Sequence, residues 1–145
     1  MLFLSMTGIH KLRGHHLICL HFFHGKGYSP KFIENLNNIL KAAAESGMEV
    51  FQGADDVCRA CPYMKAEKCM YDEHSDEEIK EMDEVALTLL NETPGMKTEW
   101  HLIKERIPEI FPLWLERYCK KCPWEKACKN NPLYKKLSLE ISLIE

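Results

Sequence analysis

A mostly α-helical, compact single domain with at most one or two short strands follows from three features of the sequence. Apolar residues recur at three- and four-residue spacing along most of its length. Serine, proline and glycine stand where helices start and stop. Runs suited to strands are short and few. With 145 residues, 46% of them hydrophobic and 28% charged, the chain can bury roughly 68–70% of its unfolded surface in one core. No Gly/Ser-rich linker divides residues 1–145, so they read as one domain.

The first ten residues form a weakly ordered or strand-like lead. Leu17, Leu20 and His21 with His24 fit a helical stripe that Gly25 and Gly27 end. Ser29 is an N-cap and Pro30 the first residue of a helix whose apolar face is Ile33, Leu36, Ile39, Leu40 and Ala43. Gly47 stops it, and Met48 to Phe51 is a short strand. Ser75, with Glu78 as its reciprocal capping partner, opens another helix. Its inward stripe is Ile79, Met82, Val85 or Ala86, Leu89 and Leu90, and Thr93-Pro94-Gly95 breaks it. Glu99 to Arg106 reads as a further helix, Pro108 and Pro112 punctuate what comes next, and Leu113 to Tyr118 leads into a cysteine group. Pro132 begins a last helix through Leu137, Leu139 and Ile141. The acidic run from Asp72 to Glu84 sets eight carboxylates against Lys80 and reads as a solvated helix face, its early acids favoured by the N-terminal dipole. Its spacing matches no calcium loop.

Several function classes are disfavoured at once. No apolar stretch approaches the ~20 residues that span a bilayer. The apolar lead Met1-Leu2-Phe3-Leu4 is too short for a signal-peptide core, so a cytoplasmic location is expected. A formal charge of −3 offers no general attraction to nucleic acid or anionic lipid.

The chemistry lies in seven cysteines, an odd number that does not suit a disulfide framework. Cys58-Arg59-Ala60-Cys61-Pro62 is followed by Cys69, and Cys119-Lys120-Lys121-Cys122-Pro123 by Cys128. A two-residue gap lets one turn bring both sulfurs to one metal. Proline after the second cysteine favours a helix start, whose free amides donate to thiolate sulfur. A third cysteine one or two helical turns onward folds back as another ligand. Arg59, Lys65, Lys68, Lys120, Lys121, Lys126 and Lys129 offset thiolate charge. Two such triads need two further ligands to close two four-coordinate centres. Cys19 supplies one, and a histidine of Gly14-His15-His16, or an external group, the other. Alternatively, Cys19 joins a single cluster and leaves spare thiols, or it is a core residue.

Zinc accepts such a ligand set, and so do iron–sulfur clusters. Zinc ribbons place their pairs between β-strands, whereas these pairs lead into helix-like sequence, which favours iron–sulfur. A dithiol redox site without metal lacks a supporting βαβ pattern.

The segment Leu12-Arg13-Gly14-His15-His16-Leu17-Ile18-Cys19-Leu20 and the later Gly25-Lys26-Gly27-Tyr28-Ser29, Asp55-Asp56-Val57-Cys58 and Cys122-Pro123-Trp124 resemble a family of small, uncharacterised prokaryotic proteins described as iron–sulfur-binding. The resemblance implies a cluster and no defined reaction.

The expectation is therefore an iron–sulfur protein of the [4Fe–4S] type, acting in electron transfer or redox sensing with an unknown redox partner or small-molecule ligand. Its ligands are drawn from Cys19, Cys58, Cys61, Cys69, Cys119, Cys122 and Cys128, with His15 and His16 as further metal candidates. Tyr63, Trp114, Tyr118 and Trp124 shield the centre. The alternatives are a structural zinc module that mediates protein interaction, or an enzyme using an open iron as Lewis acid with His15, His16, Asp55 or Asp56 as acid–base groups.

Overall fold

The computed structural model describes residues 9–23, 29–53, 55–58, 64–65, 68–69, 75–121 and 128–144. Strand β1 (His10–Arg13) runs directly into a short helix α1 (Gly14–Cys19), which tightens into a 3₁₀ turn (Leu20–Phe22). Helix α2 (Pro30–Ser46) and strand β2 (Met48–Phe51) follow, then a small hairpin of β3 (Met64–Lys65) and β4 (Lys68–Cys69). Helix α3 (Ser75–Leu90), strand β5 (Lys97–Thr98), helix α4 (Trp100–Arg117), a 3₁₀ turn (Cys119–Lys121) and helix α5 (Pro132–Ile144) complete the order. The mostly helical class holds, with more strand than expected among the described residues. No helix among them is long and apolar enough to cross a membrane.

The sheet is built around β2. It pairs in parallel with β1, Leu12 opposite Val50 and Arg13 opposite Phe51, and antiparallel with β5, Met48 opposite Thr98. A parallel pair requires a crossover, and here α1 and α2 supply it, so the chain does contain a βαβ unit that its sequence does not suggest. The cysteine pairs lie outside it. Cys69 is likewise reached by a β-hairpin rather than by helical turns.

Helix α2 follows its local signals. Ser29 Oγ accepts from the Phe32 N–H at 3.2 Å, Pro30 opens the first turn, and Gly47 ends the helix at φ 78°. Its buried side chains are Phe32, Leu36, Ile39 and Ala43, with Ile33 and Leu40 half-buried.

Helix α4 departs from expectation: it runs unbroken through Pro108 and Pro112. Both prolines are exposed and four residues apart, so the carbonyls they leave unpaired face water. The opposite face buries Ile103, Ile107, Ile110, Phe111 and Trp114. At roughly 1.5–3 kcal/mol per fully buried apolar side chain, that face outweighs about 3 kcal/mol per internal proline. Helix α5 is capped by Asn131, whose Oδ1 accepts from the Leu133 and Tyr134 N–H groups at 2.8 and 3.2 Å. Tyr134 and Leu137 enter the core, while Leu139 is 61% exposed.

One contact sets how closely α1 and α3 approach. At Gly14 the start of α1 lies against the main chain of α3. A Cβ there would collide with the Asp83 carbonyl oxygen and sit 2.9 Å from that residue's carbonyl carbon and Cα. Backbone cannot swing aside as a side-chain tip does, so only glycine permits the approach. Gly14→Ala is expected to destabilise the chain by about 1–3 kcal/mol, read as a lower urea midpoint. An unchanged midpoint would mean that α1 and α3 are not this close.

Candidate functional site

Arg13, fully buried at the end of β1, directs its Nε–H to Asp83 Oδ2 at 2.6 Å, and its Nη1 lies 3.4 Å from Cys58 Sγ. Asp83 Oδ1 accepts from the His15 main-chain N–H at 3.0 Å and faces His15 Nδ1 at 2.6 Å. A second carboxylate mirrors this one. Asp55 Oδ2 accepts from the Arg13 N–H at 2.7 Å and faces His16 Nδ1 at 2.6 Å, while its Oδ1 accepts from the Val57 and Cys58 N–H groups at 3.1 and 3.0 Å. An ionised carboxylate only accepts, so each histidine donates from Nδ1. The two rings lie 4.1 Å apart between centroids.

These contacts set the ionisation states. Burial opposes the charge on both aspartates, but the histidines facing them and the main-chain N–H groups hold both below the usual carboxylate range. Burial first, then the adjacent His16, lowers His15 to about 4 despite Asp83. Burial and the Asp55 charge push the Cys58 thiol up to about 12, against the pull of Arg13. Burial works against Arg13 as well, yet Asp83 and Cys58 raise its pKa further. Without metal, the pocket therefore holds two carboxylates, one guanidinium, neutral His15 and a neutral thiol.

A separate recess gathers cysteines from distant stretches. Cys19 at the end of α1, Cys119 after α4 and Cys128 ahead of α5 line it together. Aromatic side chains wall it: Trp114 and Tyr118, 4.6 Å apart between centroids, and Phe22 and Tyr134, at 5.6 Å edge-on. The Trp114 Nε1–H is buried with no hydrogen-bond partner, and the buried Tyr118 hydroxyl, beside Arg117, has no acceptor for its proton. Asn131 anchors the rim. Its N–H donates to the Cys128 carbonyl at 2.9 Å, and its Nδ2 reaches the His21 and Phe23 carbonyls at 3.5 and 3.4 Å.

Sequence-based candidates thus separate into two places. Cys19, Cys119 and Cys128 share the recess with Trp114 and Tyr118. Cys58, His16 and Asp55 share the charged pocket, with His15 beside them. Asp56 stands apart, bonded to His10 Nδ1 at 2.8 Å and the Lys11 N–H at 3.0 Å. Cys69 lies on β4, with its side chain outside the described residues. Cys61, Cys122, Tyr63, Trp124 and His24 also lie outside them, as do the cations Arg59 and Lys126. Lys120 pairs with Glu116 at 2.6 Å.

Sequence reasoning misses Arg13 and Asp83. Asp83 belongs to the acidic run expected to be solvated, and while Glu77, Glu78, Glu81 and Glu84 are exposed, Asp83 is buried. A signal does exist: Asp83 follows Ile79 by four residues and precedes Ala86 by three, so it falls on the inward stripe.

Fold and site together define a small, mostly helical protein with paired buried His–Asp contacts and a cysteine-lined recess. A family model described as "Protein of unknown function (DUF1284)" matches residues 27–128, and the chain belongs to that family. The matched stretch contains both cysteine groups and leaves the Arg13–Cys19 segment outside it. No curated protein and no solved structure matches.

A pH dependence follows. His15 titrates at about 4, and His21, lowered by burial and Lys104, at about 3, both below the ordinary 6.5. Between folded and unfolded values the unfolded chain binds more protons, so stability rises with pH. The urea midpoint of metal-free protein is expected to be full above pH 6.5 and to fall as pH drops toward 4. His21→Leu flattens that decline. The aspartates add their loss only below their ordinary 3.8. A level midpoint from pH 6.5 to 4 would contradict the buried-neutral assignment.

Proposed function

We propose that this is an iron–sulfur protein of electron transfer or redox sensing in a reducing cytoplasm, with a cluster of the [4Fe–4S] type in the recess. Cys19, Cys119 and Cys128 are three of its ligands, and Cys122, three residues after Cys119, is the fourth. The observation that carries this reading is the meeting of three thiols from distant stretches beside two buried donors that have no acceptor. An unsatisfied buried donor costs about 1–3 kcal/mol, and thiolate or sulfide sulfur would accept from both. When bound, such a cluster supplies one-electron chemistry. The chain's own part is to exclude water with Phe22, Trp114 and Tyr134, and to donate to sulfur from Trp114 Nε1 and the Tyr118 hydroxyl, which raises the reduction potential. The zinc reading draws on a different observation, the β-hairpin that carries Cys69, and belongs to the first cysteine group.

Anaerobic purification is expected to give a brown protein containing iron and sulfide. Cys19→Ala and Cys119→Ser lose the chromophore. Trp114→Phe keeps it and shifts the potential negative. Colourless protein with stoichiometric zinc, or Cys19→Ala with unchanged iron and spectrum, would overturn the assignment.

A further inference from the structure

The charged pocket carries a chemistry the recess does not. One ring nitrogen of His16, one carboxylate oxygen of Asp55 and the Cys58 sulfur all lie within 4.8 Å of one another. Donors on a single four-coordinate zinc ion, bound at about 2.0–2.3 Å, stand about 3.3–3.8 Å apart. Small side-chain rotations therefore bring the three onto one centre. We propose that His16, Asp55 and Cys58 form a mononuclear site for a divalent ion of the zinc class, separate from the cysteine recess.

The donor set selects the ion. Calcium and magnesium take oxygen ligands throughout, and iron–sulfur clusters take mostly thiolates. One imidazole, one carboxylate and one thiolate suit zinc or its borderline neighbours. The charges agree. As ligands, the Asp55 carboxylate and the Cys58 thiolate, with Asp83 set against the Arg13 guanidinium, carry two formal negative charges among the described groups of the pocket, and a dication brings the total to zero. In this arrangement the ion enters between His16 Nδ1 and Asp55 Oδ2, now 2.6 Å apart. The imidazole proton moves to Nε2, and the Cys58 proton leaves to solvent. Arg13 Nη1, 3.4 Å from Sγ, donates to the resulting thiolate. The main-chain donors of Arg13, Val57 and Cys58 fix the Asp55 carboxylate before any metal arrives, which is the preorganisation that ligand carboxylates usually receive from outside the coordination shell. His15, tied to Asp83, stands beside the ion.

The test uses full-length, anaerobic apo-protein carrying Cys119→Ser, which disables the recess and leaves this pocket intact, titrated with Co²⁺ alone against a competing chelator. One tightly bound equivalent with tetrahedral cobalt absorption is expected. Added to that background, His16→Gln and Asp55→Asn each weaken binding by at least about 10-fold, with circular dichroism showing the fold retained. Should either variant unfold, the parent loaded with one equivalent of zinc decides by X-ray absorption: imidazole scattering supports the site. Unchanged cobalt affinity in both folded variants, or an all-sulfur zinc shell, would overturn it by placing the metal on cysteines alone. Loss of iron in Cys119→Ser with cobalt binding retained reports on the two sites separately. Failure of one is therefore not read as failure of the other.

Discussion

The fold of the N-terminal half depends on a buried ion pair. Arg13 and Asp83 are both nearly inaccessible to water and meet at 2.6 Å. Removing two charges from water costs several kcal/mol each, which their attraction offsets only when the geometry is close and the remaining donors and acceptors are used. Here they are used closely. Asp83 takes Arg13, the His15 main chain and the His15 ring, and the remaining reach of Arg13 falls on Cys58. The pair clamps β1 and α1 onto α3, and Gly14 gives the clamp its closeness. The residues of Arg13-Gly14-His15-His16 thus divide the work. Arg13 brings charge, Gly14 clearance, and His15 and His16 one ring for each buried carboxylate.

That clamp also explains how one six-residue helix serves two different environments. His16 and Cys19 are a single turn apart on α1, and they enter different surroundings. One is polar, charged and rich in fixed hydrogen bonds. The other is aromatic, with sulfur atoms and idle donors. A helix this short is only marginally stable by itself, so its orientation comes from the Asp55 and Asp83 contacts and from Leu17 and Ile18 in the core. The metal chemistry proposed for both places rests on that orientation.

Much of the architecture is legible in local signals, and the failures share a cause. Ser29, Pro30 and Gly47 mark the ends of α2 because capping is decided within a few residues, and Met48 to Phe51 falls where expected. Helix α4 outruns its local signals because a proline penalty is visible locally, whereas the core that buries Ile107, Phe111 and Trp114 is not. The hairpin at Cys69 and the parallel pairing of β1 with β2 are likewise long-range outcomes. In the candidate sites, counting ligands points toward Cys19 and a histidine of the Gly14–His16 stretch as the extra donors. Which joins which cannot be read from spacing: Cys19 falls with Cys119 and Cys128, and His16 with Cys58. Arg13 and Asp83 escape notice because charged residues in a polar run are usually solvated, and only their mutual burial, 70 residues apart, reverses that default.

A double-mutant cycle on the clamp tests this account most directly. Arg13→Met and Asp83→Asn should each cost about 3–5 kcal/mol, since each strands a buried charge or its polar partners. The double variant should cost well under their sum, leaving a coupling energy toward the upper end of the roughly 0.5–3 kcal/mol range for residues in contact. Additive losses, or single losses within about 0.5 kcal/mol as at an ordinary surface position, would mean that the guanidinium and the carboxylate do not meet in the folded chain, and α1 would lose its anchor.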